Sequence, residues 1–107
     1  MVQPIVALLT FPSPDEANRI AAVLVDEHLA ACVNVLPGVR SLFFWEGSRN
    51  EAEEVLAVVK TTQQRFAELA ARVRQLHSYS VPEIIALPIV AGDKPYLKWL
   101  ADTVSSQ

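Results

Sequence analysis

The chain has 107 residues, of which 9 are Lys or Arg and 12 are Asp or Glu, so its formal net charge is −3. This length predicts one domain, residues 1–107, and the charge gives no electrostatic reason to expect nucleic acid or an anionic membrane as a partner. The single cysteine, Cys32, excludes an internal disulfide and is typical of a reducing compartment.

Hydrophobic residues make up 51% of the chain and charged residues only 20%, against a usual value of about 25% charged. So few charges cannot cover the large surface of a small domain. We therefore expect either a large exposed apolar patch or its burial in an oligomer.

The first predicted element is a strand, "IVALLTF" (5–11). It is too short to span a membrane and no Lys or Arg precedes it, so a signal peptide is not indicated and a soluble, cytoplasmic protein is expected. "SPDE" then predicts a helix start, with Ser13 as N-cap, Pro14 in the first turn and Glu16 closing a capping box.

The next region, "CVNVLPGVRSLFFW" (32–45), predicts an extended strand bent at Pro37-Gly38, a dipeptide suited to a type II turn. "EGSRNE" (46–51) is typical of a hairpin connection, and "EVLAVVKT" (54–61) of the returning strand. In both strands the two alternating faces are apolar, which is expected where both faces of a sheet are covered.

The second half repeats this order. Thr61 or Thr62 is a candidate cap for a helix whose apolar stripe ends at Leu76, "IIALPIV" (84–90) predicts a strand, and Pro95 begins a last helix. The order βαββαβ plus a C-terminal helix predicts an α+β fold, the ferredoxin-like split βαβ sandwich. Two helices cover one face of such a sheet, so we expect a second subunit on the other. Pro88 indicates an edge strand or a bulge.

Few side chains are candidates for chemistry. His77, with Tyr79 and Glu83 in "HSYSVPE", is either a metal or ligand corner or a cap of the preceding helix. Cys32 is a soft-metal ligand or a core residue. Lys60 beside two threonines is an anion contact or a solvated lysine.

The aromatic candidates are Trp45 and Trp99, and each either forms part of the wall of a binding site or is a packing residue. Glu46 directly follows Trp45 and is a candidate with it. GxGxxG, Walker, GxSxG, HExxH and CxxC motifs are absent from the sequence, so no enzyme is indicated. The first predicted strand-helix loop, "TFPSPDE", is acidic and proline-rich, which argues against acyl-phosphate chemistry.

Taken together, four stretches resemble the CutA family of divalent-cation tolerance proteins. They are "LAACVNVLPGVRSLFFWEG" (29–47), "EVLAVVKTT" (54–62), "HSYSVPE" (77–83) and "YLKWL" (96–100). The resemblance implies an intertwined homotrimer of ferredoxin-like subunits, a role in tolerance of copper or other divalent cations, and an architecture similar to PII signalling proteins, which bind small ligands between subunits.

By position, the resemblance implies a ligand cleft that contains Trp45, Glu46, Lys60, Tyr79, Glu83 and Trp99. Some family members supply copper ligands from a cysteine in the first strand and adjacent histidines after the second helix. Here the first strand has no cysteine, and Leu76 precedes His77, so one imidazole remains. We therefore expect no required cofactor, and only weak binding of copper or another divalent cation, at His77 with help from Glu83 or Cys32. The alternative is a PII-like module that binds a small ligand or anion between subunits.

Overall fold

The computed structural model describes residues 2–105. Its elements in chain order are β1 (Pro4–Phe11), α1 (Pro14–Asp26), β2 (Cys32–Trp45), β3 (Ser48–Thr62), α2 (Phe66–Leu76), β4 (Ile84–Pro88) and α3 (Lys94–Val104). The predicted order of four strands and three helices is confirmed. No helix within residues 2–105 is both long and apolar enough to cross a membrane.

The four strands form one antiparallel sheet in the order β2-β3-β1-β4. The strand β3 therefore lies between β1 and β2, which are joined through α1. This is the predicted split βαβ arrangement. It brings the end of β1 next to the loop that follows α2, where "HSYSVPE" lies.

The helices α1 and α2 cover one face of the sheet. Each helix has an apolar stripe at helical spacing, and each strand contributes alternate residues to the same layer. The buried cluster between them includes Ala7, Leu9, Phe11, Ile20, Leu24, Val55, Ala57, Val59, Leu69 and Val73. This layer is the main hydrophobic core.

The opposite face of the sheet has no helix pair on it, and we call it the open face. Alternation along the strands assigns to it Val6, Leu8, Leu56, Val58, Ile85 and Leu87. Ile85 and Leu87 are 50% and 52% exposed. The helix α3 packs at one end of the sheet, where its Leu100 and Val104 are buried with Ala31. The predicted uncovered apolar face is therefore present in the subunit.

The β2–β3 hairpin extends beyond the rest of the sheet. Its pairing shifts between Leu36 and Val39, at the predicted bend, and Gly38 adopts φ 83°. Because β1 ends opposite Val55, the remainder of the hairpin is a two-stranded ribbon. Leu42, Phe43, Phe44 and Trp45 are exposed on it.

The hairpin turn is shorter than the sequence predicted. The connection was expected at 46–51, but Glu46 (φ 51°) and Gly47 (φ 83°) alone make the turn, and β3 begins at Ser48. Two central residues with positive φ match a type I′ turn, whose twist suits a hairpin. The polar residues after the turn pair with β2 in the ribbon, and this pairing overrides their loop-like composition.

Two other boundaries differ from the sequence prediction. Neither threonine caps α2: Thr61 donates its hydroxyl to the carbonyl of Leu29 at 2.7 Å, Thr62 makes no capping bond, and a 3₁₀ turn (Gln63–Arg65) precedes the helix. The strand β4 ends at Pro88 rather than at residue 90.

Both edges of the sheet contain a proline. The strand β4 is an edge, as Pro88 indicated, and the other edge is β2, which contains Pro37 at its bend.

Candidate functional site

His77 lies at the C-terminal end of α2 and is buried. Its Nε2 is 2.7 Å from the carbonyl oxygen of Thr10, and its Nδ1 accepts a hydrogen bond from the backbone N–H of Tyr79 at 3.0 Å. These contacts fit the neutral ring with its proton on Nε2. The ring also stacks on Phe11, with centroids 5.0 Å apart. Both ring nitrogens are therefore engaged within the protein.

Glu16 holds the same loop from the other side. Ser13 caps α1 by accepting the N–H of Glu16 at 3.2 Å, but the carboxylate does not complete the predicted capping box. Instead, its Oε2 accepts hydrogen bonds from the backbone N–H of Ser78 at 2.9 Å and from the Ser78 hydroxyl at 3.1 Å. Partial burial opposes ionisation, but the two hydrogen bonds from Ser78, with the positive charge of Arg19, outweigh it and hold the pKa of Glu16 below its usual value.

Tyr79 joins the loop to β3. Its hydroxyl donates to Oε2 of Glu54 at 2.7 Å. Burial is the main cause that raises the pKa of Tyr79 to about 12, and the hydrogen bond and the negative charge of Glu54 add to it. Glu54 itself is only 7% exposed. A carboxylate is therefore buried at the edge of the open face, with a phenol as its partner.

A cleft of about 660 Å³ opens beside this pair, and we call it the hairpin cleft. The hairpin ribbon forms one wall and the loop after α2 forms the other. Its lining residues are Thr10, Arg40, Ser41, Leu42, Phe43, Trp45, Glu54, Tyr79, Ser80, Val81 and Glu83. Apolar walls with a few convergent polar groups are typical of a small-ligand site.

The structure brings together some of the six residues predicted for the cleft and separates others. Trp45, Tyr79 and Glu83 line the hairpin cleft. Glu46 lies in the hairpin turn, next to Trp45 but outside the lining. Lys60 and Trp99 belong to a second cluster, near the other end of β3.

The second cluster surrounds Cys32. Lys60 lies directly opposite it on β3 and contacts the side-chain oxygen of Asn34. On α3, Tyr96 packs against Trp99 with ring centroids 5.4 Å apart. Burial chiefly, and also the neighbouring Cys32, raises the pKa of Tyr96. Cys32 is thus within reach of an aromatic helix face, far along the sheet from His77.

The proposed metal ligands are also separated. His77 contacts Thr10 at one end of β1, while Cys32 pairs with Lys60, which pairs with Val6. Thr10 and Val6 are four residues apart on β1, which corresponds to a separation of about 13 Å along the strand. Within residues 2–105 no group of three or more His, Cys, Asp or Glu is placed to hold a metal ion.

Eight of the eleven residues that line the hairpin cleft were not predicted from the sequence, Glu54 and Thr10 among them, and the role of Glu16 beside the cleft was not predicted either. Glu54 and Thr10 occupy the open face at strand positions next to apolar residues, where a carboxylate is unusual. That pattern was the available signal for Glu54. Glu16 was interpreted as half of a capping box, and its partner Ser78 is 62 residues away.

Comparisons with known proteins agree with this architecture. Residues 5–103 match the family described as CutA1 divalent ion tolerance protein. The divalent-cation tolerance protein CutA of Thermus thermophilus is 50% identical over 97 residues, which cover 91% of this chain and 94% of that protein. The chain belongs to the CutA1 family.

Solved structures of CutA proteins share the fold. The structure of the Thermus thermophilus protein has a TM-score of 0.94 at 48% identity, covering 95% of this chain and 99% of that one. A structure described as the periplasmic divalent cation tolerance protein CutA of Archaeoglobus fulgidus has a TM-score of 0.90 at 44% identity, covering 98% and 100%.

Proposed function

We propose that this CutA-family chain acts in divalent-cation tolerance as a cytoplasmic homotrimer that binds copper or a similar cation weakly and performs no catalysis. Family membership supports the general role. The exposed apolar open face supports self-association, because Ile85 and Leu87 would otherwise stay in water. A single free cysteine supports a reducing compartment.

The hydrogen bonds of His77 are the observation that supports weak rather than tight metal binding. A metal ion needs a free lone pair, and Nδ1 already accepts the N–H of Tyr79. Metal binding at His77 therefore costs a buried hydrogen bond and displaces the loop. Cys32 is half-buried and free, but a lone thiol is an incomplete ligand set.

Calorimetric titration with Cu²⁺ tests this proposal. The variants are His77→Gln, whose amide can still donate to Thr10, and Cys32→Ser; the control is His28→Asn, which removes the other histidine. We expect weak binding in the native protein, reduced in either test variant and unchanged in the control. Equal titration curves for all four proteins would mean that neither His77 nor Cys32 contributes to Cu²⁺ binding.

A second candidate function is a PII-like module that binds a small ligand. The observation that favours it is the hairpin cleft, into which Trp45, Tyr79 and Glu83 converge. Its apolar walls and buried carboxylate offer both affinity and orientation to a small molecule. A thermal-shift screen of charged and neutral small molecules, repeated with Tyr79→Phe, tests this function; no stabilising compound at millimolar concentration would contradict it.

A further inference from the structure

We propose that copies of this chain assemble head to tail through the open face, so that Lys60 of one subunit lies against Glu54 of the next. The inference rests on the homotrimer of the proposed function and names the charged contact that orients its subunits. Lys60 was predicted for a ligand cleft, and Glu54 was not predicted for any site.

The open face has opposite charges at its two ends and apolar residues between them. Alternation along β3 places Glu54, Leu56, Val58 and Lys60 on this face in that order. Glu54 and Lys60 are six positions apart, which corresponds to about 20 Å along the strand. The neighbouring strands β1 and β4 add further apolar side chains. Each subunit therefore has an acidic end, at Glu54, and a basic end, at Lys60, on the face that assembly would bury.

Neither charge has a counter-charge in its own subunit. Glu54 accepts a hydrogen bond from the neutral hydroxyl of Tyr79, and Lys60 contacts the neutral side chain of Asn34. No ion pair reaches Glu54 or Lys60 in the part of the chain that the structure describes. Assembly through the open face removes water from both groups, and an unpaired charge at a buried interface is costly. A neighbouring copy supplies the missing counter-charges if unlike ends meet.

Exposed aromatic side chains accompany both ends. The hairpin ribbon extends past the acidic end, and α3 packs at the basic end, beside the start of β2. The exposed aromatic residues include Phe43 and Trp45 on the ribbon and Tyr96 and Trp99 on α3. When unlike ends meet, these two groups come together and are removed from water. When like ends meet, equal charges approach each other and repel. A contact between unlike ends also repeats around an axis and closes a ring of subunits.

A double-mutant cycle on assembly tests the contact. Glu54→Gln keeps the shape of the side chain and an acceptor for Tyr79, and Lys60→Gln removes the positive charge. Sedimentation at one protein concentration gives the urea midpoint at which the native assembly dissociates. We expect each single variant to lower this midpoint and the double variant to lower it no further than the weaker single variant. Residues about 20 Å apart in one subunit have additive effects, so additive shifts, or no shift in either single variant, would overturn the proposal.

Cross-linking tests which ends meet. In a Cys32→Ser background, Lys60→Cys combined with Glu54→Cys should give covalent oligomers up to the trimer with a short bismaleimide. Lys60→Cys combined with Glu53→Cys is the matched control, because Glu53 lies on the opposite face of β3, and it should stay uncross-linked. Cross-linked dimers from Lys60→Cys alone would mean that like ends meet and would overturn the proposal. So would equal cross-linking of the pair and its control.

These outcomes separate the inference from the proposed function. A native trimer with additive shifts leaves the trimer in place and removes only the contact between Lys60 and Glu54. Specific cross-linking that stops at a dimer supports the contact and contradicts the trimer. A folded native monomer would overturn both, and the open face would then be a surface for a different protein.

Discussion

The Nε2 atom of His77 lies 2.7 Å from the carbonyl oxygen of Thr10, and this contact fixes the loop after α2 to the end of β1. The two residues are 67 positions apart. The same loop carries Tyr79 to Glu54, so one side of the hairpin cleft depends on the imidazole. His77 is thus a positioning residue for the cleft, whatever its affinity for metal.

We expect His77→Ala to lower the free energy of unfolding by about 2–4 kcal/mol. The substitution removes a buried ring stacked on Phe11 and leaves the carbonyl of Thr10 without its donor. Urea denaturation at one fixed protein concentration measures the change. His28→Asn is the control, since His28 is exposed and has a positive φ that asparagine tolerates. Equal losses in both variants would contradict the structural role of His77.

Glu16 should make the protein sensitive to acid. Its pKa is lowered in the folded state, so its stabilising contribution is complete above the unfolded pKa, near 4.5, and is lost as the pH falls through the lower folded value. We expect Glu16→Gln to be less stable at pH 7 and to lose less stability between pH 5 and pH 3 than the native protein. Asp15→Asn, an exposed carboxylate in the same helical turn, is the control. Parallel pH profiles for the native protein and Glu16→Gln would refute this role.

Tyr79 should ionise only in strong alkali. Its pKa of about 12 exceeds the usual 10.0, so its contribution to stability is complete below pH 10 and is lost as the pH rises towards 12. Ultraviolet absorbance at alkaline pH follows phenolate formation, and circular dichroism verifies that the protein stays folded. Tyr79→Phe should remove the last ionisation step. If the folded native protein showed no ionisation step later than those of folded Tyr79→Phe, the burial of this hydroxyl would be contradicted.

Leu87→Glu should weaken self-association. The substitution places a charge on the part of the open face formed by the edge strand β4, where burial against another chain would be costly. Sedimentation at micromolar concentration should give three times 11.8 kDa for the native protein and a smaller mass for the variant. Gln75→Glu, on the exposed side of α2, is the control and should sediment like the native protein. A folded native monomer would mean that the open face does not mediate assembly.

The fold followed from local signals. Ser13 and Pro14 marked the start of α1, periodic apolar residues marked the buried side of α2, and Pro88 marked an edge strand. The order of elements then restricted the sheet to few topologies. The polar composition of residues 46–51 predicted a hairpin connection that is too long. Strand pairing within the ribbon stabilises polar residues that have weak strand preference on their own.

The site was less accessible from the sequence. Tyr79 meets Glu54 across 25 positions, and Glu16 meets Ser78 across 62, so neither pair has a local pattern. The resemblance grouped Lys60 and Trp99 with Tyr79 and Glu83, but within one chain they lie in different clusters. Only an arrangement of several subunits could bring those clusters together, and residue spacing in one chain does not specify such an arrangement.

The prolines at the two edges of the sheet also bear on aggregation. A free strand edge is a template on which further chains can add without limit, as in amyloid fibrils. Pro37 has no N–H, and Gly38 beside it breaks the regular repeat of β2, while Pro88 ends β4 after five residues. Neither edge offers a long uninterrupted row of hydrogen-bonding groups. In a chain this apolar, the two prolines therefore oppose fibrous growth along the edges of the sheet.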